Sequence, residues 1–167
     1  MRYLTVLLAF LLACNPAGAK VMPAFHQCVQ TTHGCIWTNA DVTQQTIQET
    51  ICVPGYTKQV RPATSYTNGV KKVLMRRQGI DLARIHDYEL DHIIPLALGG
   101  HPRDTSNLML QPWEGPNGAK VKDKLEVRLQ HTVCRGRMQL GVAQACIAEN
   151  WIRCSARYPA KVTREIH

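Results

Sequence analysis

The sequence predicts an α+β domain stapled by disulfides. Three observations carry this reading. Six cysteines follow an apolar N-terminal segment, a strand, loop, strand and helix succeed one another over residues 88–130, and helical spacing of apolar residues recurs on both sides of that stretch. The 167 residues are one domain's worth, and at 45% hydrophobic and 19% charged their composition excludes a disordered tail or a polytopic membrane protein. Charge sets the chain apart: 20 Lys and Arg against 12 Asp and Glu give +8, an attraction for phosphates and other polyanions.

The N-terminus reads as an export signal over residues 1–19. Arg2 supplies the positive end, an apolar run extends from Leu4 to Ala13, and Ala17-Gly18-Ala19 is a small-residue cleavage pattern. The run is too short to span a bilayer, which takes ~20 apolar residues. Leu11-Leu12-Ala13-Cys14 resembles a lipoprotein signal and offers an alternative, a lipid anchor at Cys14. Either reading exports the protein, as a periplasmic or secreted species or as a membrane-anchored lipoprotein without a transmembrane span. Residues 20–167 then form a single domain. Cys28, Cys35, Cys52, Cys134, Cys146 and Cys154 remain in it, an even number that reads as three disulfides of open connectivity. Three lie in each terminal part of the chain, so full pairing requires a bridge between the two groups. No C-x-x-C pair suggests zinc.

Residues 20–40 lack periodicity and read as irregular. Residues 43–51 predict a short helix with Thr43 as cap and Ile47 and Ile51 inward, broken by Pro54-Gly55. Residues 65–78 predict a second helix whose apolar face is Val70, Val73 and Leu74, with Lys71, Lys72 and Arg76 on the other. Residues 88–94 and 107–111 predict strands, separated by the Gly99-Gly100 turn region. Residues 119–132 predict a helix with Val121, Leu125, Val127 and Leu129 inward and Lys120, Lys122, Lys124 and Arg128 as a basic surface. Residues 138–153 predict the last helix, with Leu140, Ala143, Cys146, Ile147 and Trp151 facing the core.

Asp91-His92 is the dipeptide that suggests chemistry. A carboxylate is a hard donor for Mg²⁺ or Mn²⁺, and an imidazole titrates near neutrality, as proton removal from water requires. Neighbours on a strand point to opposite faces, so the two cooperate only where the strand ends or bulges.

The string Asp91-His92-Ile93-Ile94-Pro95-Leu96, then Gly99-Gly100, Asn107-Leu108, Asn117 and Lys122-Asp123-Lys124-Leu125-Glu126, resembles the HNH nuclease family. Residues 51–57, Arg61-Pro62 and Ser65-Tyr66-Thr67 are similar to the region that precedes the motif in small bacterial members. The resemblance implies a ββα-metal finger flanked by helices, with Asp91 as metal ligand and His92 as general base. It implies that Asn107 holds the loop between the strands and orients the His92 ring. The implied cofactor is a divalent ion, Mg²⁺ first, with Mn²⁺ or another transition metal as alternatives. Where many relatives read Trp-Asn-Ala-His, this chain has Asn117-Gly118-Ala119-Lys120, so Gly118 and Lys120 depart from the pattern and Asn117 is the candidate further ligand. The expected activity is a metal-dependent endonuclease of little sequence specificity, acting on nucleic acid, DNA ahead of RNA. Lys120, Lys122, Lys124 and Arg128 are its expected phosphate contacts. The alternative is a catalytically weakened binding protein, secreted or lipid-anchored, on the same scaffold.

Overall fold

The computed structural model describes residues 27–159, so the signal and the Cys14 anchor, both within residues 1–19, lie outside the described residues. Its first element corrects the expectation of irregular chain. β1 (Cys28–Thr31) pairs antiparallel with β2 (Gly34–Trp37), and Cys28 is joined to Cys35 across the hairpin. Gly34 has φ 112°, a region that side-chain-bearing residues avoid, and Thr31 Oγ1 donates to its carbonyl. At the hairpin tip, the backbone N–H and hydroxyl of Thr32 both donate to the Glu149 carboxylate. Four-residue strands leave too little alternation to be read from sequence.

Residues 43–51 form successive turns with bonds from N–H of residue i+3 to carbonyl i, not a regular helix. The threonines explain this: Thr46 Oγ1 donates to the Asp41 carbonyl and Thr50 Oγ1 to that of Thr46, competing for the backbone. Ile47 and Ile51 are nonetheless buried as expected. A short helix α1 (Tyr56–Val60) leads to α2 (Thr64–Arg77). Met75 is the buried side chain of α2, while Val73, expected inward, is 42% exposed.

A 3₁₀ segment (Leu82–Asp87) enters β3 (Tyr88–His92), which pairs antiparallel with β4 (Leu108–Pro112), Asp91 opposite Met109 and His92 opposite Leu108. The chain continues into α3 (Ala119–Cys134) and α4 (Leu140–Arg157). Leu125, Leu129 and Val133 of α3 and Leu140, Ala143 and Ile147 of α4 share one core with Val42, Ile51, Ile94 and Leu98. Val127, expected inward, is exposed. The architecture is therefore mixed α+β, with two small antiparallel sheets and three disulfides. Among the described residues no helix is long and apolar enough to cross a membrane.

The remaining bridges are Cys52–Cys134, which links the two cysteine groups, and Cys146–Cys154 within α4. In a straight helix, residues eight apart lie ~12 Å from each other at 1.5 Å per residue. Here the Cα atoms of Cys146 and Cys154 are 5.4 Å apart. The helix is broken between them: Asn150 takes φ −164° and ψ 97°, and its Oδ1 accepts from Arg153 N–H, capping the second half.

Loop-closure entropy grows with the span of a bridge. Replacing Cys52 and Cys134, 82 residues apart, with Ser is expected to cost about 4 kcal/mol, against about 2 kcal/mol for Cys28 and Cys35, 7 apart. Urea unfolding of the two oxidised double variants measures both. Equal losses would show that chain entropy is not what the long bridge contributes.

Candidate functional site

The ladder runs to His92 in regular register, so Asp91 and His92 leave β3 on opposite sides. Asp91 turns toward α3. Its Oδ1 accepts from His92 N–H at 2.6 Å and its Oδ2 from Lys122 Nζ at 3.0 Å. Lys122 also donates to the His92 carbonyl at 2.7 Å and to Glu126 Oε1. Three ammonium hydrogens thus meet three acceptors, at a side chain that is 0% exposed. Burial alone would lower the Lys122 pKa; the Glu126 and Asp91 carboxylates more than offset it and hold the ammonium charged. This corrects the expectation that Lys122 belongs to a basic surface or contacts phosphate. The missed signal is spacing: Lys122, Leu125, Leu129 and Val133 are all buried residues of one α3 face.

His92 turns toward α2. It lines a cleft of about 220 Å³ with Arg61, Thr64, Asn68, Lys71, Glu89 and Trp113. Its Nε2 is 3.2 Å from the Pro102 carbonyl, which can only accept, so Nε2 carries the proton and Nδ1 the lone pair of the neutral ring. Burial lowers the His92 pKa, with Arg61 and Lys122 acting in the same direction against Asp91 and the Pro102 bond. The imidazole is therefore a neutral base at pH 7. Arg61 and Glu89 were not singled out as site residues by sequence, and Lys71 only as part of a basic helix edge.

Asn107 closes the loop between the strands, as expected. Its Oδ1 accepts from Ile94 N–H at 2.7 Å, and its Nδ2 donates to the carbonyls of Ile94 and His101, each at 3.0 Å. The atom bonded to the His92 ring is the carbonyl of Pro102, the residue after His101, and no bond runs to the ring from Asn107. Gly100 is required beside it: a Cβ there would stand 1.8 Å from the Ile94 carbonyl oxygen and 2.6 Å from Asn107 Nδ2.

The other expected residues are dispersed. Asn117 is exposed before α3, and its backbone carbonyl accepts from Gln111 Nε2. Lys120 pairs with Glu114, and Lys124 is exposed. Arg128 donates to the Tyr158 carbonyl and to Ser155 Oγ, tying α3 to the end of α4. The Asp91 carboxylate serves an ammonium and a backbone amide, while Asn117 stands on the exposed approach to α3. Among the described residues no group of three or more His, Cys, Asp or Glu is disposed to hold a metal ion.

Removing the cation leaves two buried carboxylates unpaired, so Lys122→Met is expected to lose ~3–5 kcal/mol in urea unfolding. A loss below ~1 kcal/mol would show that the triad is not structural. Glu89 makes a second test. Burial, then the Asp91, Asp123 and Glu126 carboxylates, push its pKa up to about 7, against Arg61. A folded pKa above the unfolded value means that ionised Glu89 destabilises the fold above pH 7 and protonated Glu89 does not below pH 4. Glu89→Gln should melt on the order of 2–4 °C above the parent at pH 8, allowing for solvent screening, and equal it at pH 4. An unchanged difference across that range would refute the assignment.

Comparison with known proteins finds no matching family model, no matching curated protein and no matching solved structure, so the reading of this site rests on its own residues and geometry.

Proposed function

We propose that the protein is an endonuclease that hydrolyses nucleic-acid phosphodiester bonds with little sequence preference, with His92 as general base. The observation that carries this is the His92 imidazole: neutral, tied through Nε2 to the Pro102 carbonyl, and set in a cleft with Arg61 and Lys71. In this scheme His92 removes a proton from water, whose oxygen attacks phosphorus. The bond from phosphorus to the 3′-oxygen breaks, and the leaving oxygen is protonated from solvent. Arg61 and Lys71 neutralise the phosphate oxygens. The net charge of +8 supports sequence-independent attraction to the backbone.

The order β3, β4, α3 and the Asp91-His92…Asn107 string support assigning these elements to a ββα finger of HNH type. A divalent ion, Mg²⁺ first, is the cofactor that this assignment implies. It would have to share Asp91 with Lys122, and no step above is drawn through it. Three disulfides are compatible with export, the expected location. The placement of Lys122 on Asp91 favours a second reading, a nucleic-acid-binding protein on this scaffold that has lost cleavage.

Oxidised protein incubated with supercoiled plasmid, with Mg²⁺, Mn²⁺ or EDTA, separates these. The expected result is nicking that falls ~10²–10⁴-fold in His92→Ala. Nicking by His92→Ala at the parent rate overturns the mechanism. Plasmid retention in a gel without nicking under any condition supports the second reading, and nicking that persists in EDTA removes the metal from the proposal.

A further inference from the structure

Trp113 lines two cavities. One is the His92 cleft; the other, about 680 Å³, is bounded by Arg84, Tyr88, Pro112, Trp113, Glu114 and Lys120 among others. Their chemistry differs. In the His92 cleft, two cationic side chains, Arg61 and Lys71, stand against the single carboxylate of Glu89. In the second cavity the charges are paired off, Arg84 with Asp87 and Lys120 with Glu114. What remains there is aromatic and planar: the Trp113 indole, the His86 imidazole, and the Tyr88 ring with the Arg84 guanidinium 5.6 Å from its centroid.

The first cavity therefore suits an anion and the second an uncharged flat group. A nucleotide carries both, a phosphate and a base, at adjacent positions. We propose that the substrate is held as an extended single strand, its phosphate between Arg61 and Lys71 and a neighbouring base stacked on Trp113 in the second cavity. This rests on the nuclease reading of the His92 cleft and adds the strandedness of its substrate. A duplex keeps its bases paired and stacked, so it fills the second cavity only by extruding one, at a cost of ~ a few kcal/mol. Aromatic platforms beside a positive groove bind single strands in this way, and each stacked base contributes ~1–3 kcal/mol.

The test reads binding, not cleavage. His92→Ala protein in EDTA is titrated with a labelled single-stranded DNA oligonucleotide, the same sequence as duplex, and the corresponding single-stranded RNA. The expected result is tighter binding of the single strands, with Trp113→Ala weakening it roughly 5- to 150-fold and leaving duplex affinity unchanged. Trp113→Phe should retain most of the affinity, which guards against a folding defect in the alanine variant. Tryptophan quenching on oligonucleotide binding should be present in the parent and largely absent from Trp113→Phe, although Trp37 and Trp151 remain. Equal or tighter duplex binding, or an equal loss on both substrates in Trp113→Ala, overturns the proposal. The RNA arm assigns the sugar. Single-strand binding by a protein whose parent form cleaves neither plasmid nor the single-stranded oligonucleotides in Mg²⁺ or Mn²⁺ sinks the nuclease reading and keeps the stacking site; cleavage with a duplex preference does the reverse.

Discussion

The Lys122 ammonium is the joint on which the site hangs. It is wholly buried, and its three hydrogens fasten α3 to β3 at the Asp91 carboxylate and the His92 carbonyl while a third goes to Glu126 on its own helix. An ammonium in a dry interior is tolerable only when fully paired, so the position of each partner follows from the position of the charge. Asp91 fastens β3 to α3, and the next residue, His92, lines the cleft together with Glu89.

That division bears on how the cleft is built. The lone-pair nitrogen of His92 is set by backbone: the Pro102 carbonyl selects the tautomer, Asn107 bonds the His101 carbonyl just before Pro102, and Gly100 lets that loop pass within reach of the Ile94 carbonyl. The cations come from elsewhere, Arg61 from the end of α1 and Lys71 from α2. Loop and helices converge on one imidazole, whose ring is bonded to a backbone carbonyl.

Much of this arrangement was legible in the sequence. α3 and α4 were readable because their apolar residues repeat at helical spacing over three turns or more, and β3 and β4 because prolines and glycines bound them. Asn107 was singled out because the resemblance to the HNH family implies an Asn at that place. Lys122 was misread because Lys120, Lys122 and Lys124 alternate like a solvated face, although position 122 shares the stripe of Leu125 and Leu129. A different reason kept Arg61, noted only within the Arg61-Pro62 resemblance, and Glu89 from being assigned to the site. Neither belongs to a periodic pattern, and their meaning comes only from α2 lying against the β3–β4 hairpin. The β1–β2 hairpin was missed because four residues per strand provide two alternations at most, and threonine hydroxyls turned residues 43–51 away from a regular helix.

The Cys52–Cys134 bridge encloses the cleft in a covalent ring. Arg61, α2, β3, Asn107, β4 and most of α3 all lie between its two cysteines. A protease that cuts any exposed loop within that ring opens it into a branched chain but releases no fragment. In an oxidising space shared with proteases, a first cut therefore leaves every cleft residue attached to the same molecule, and a second cut within the ring is needed to free any of them.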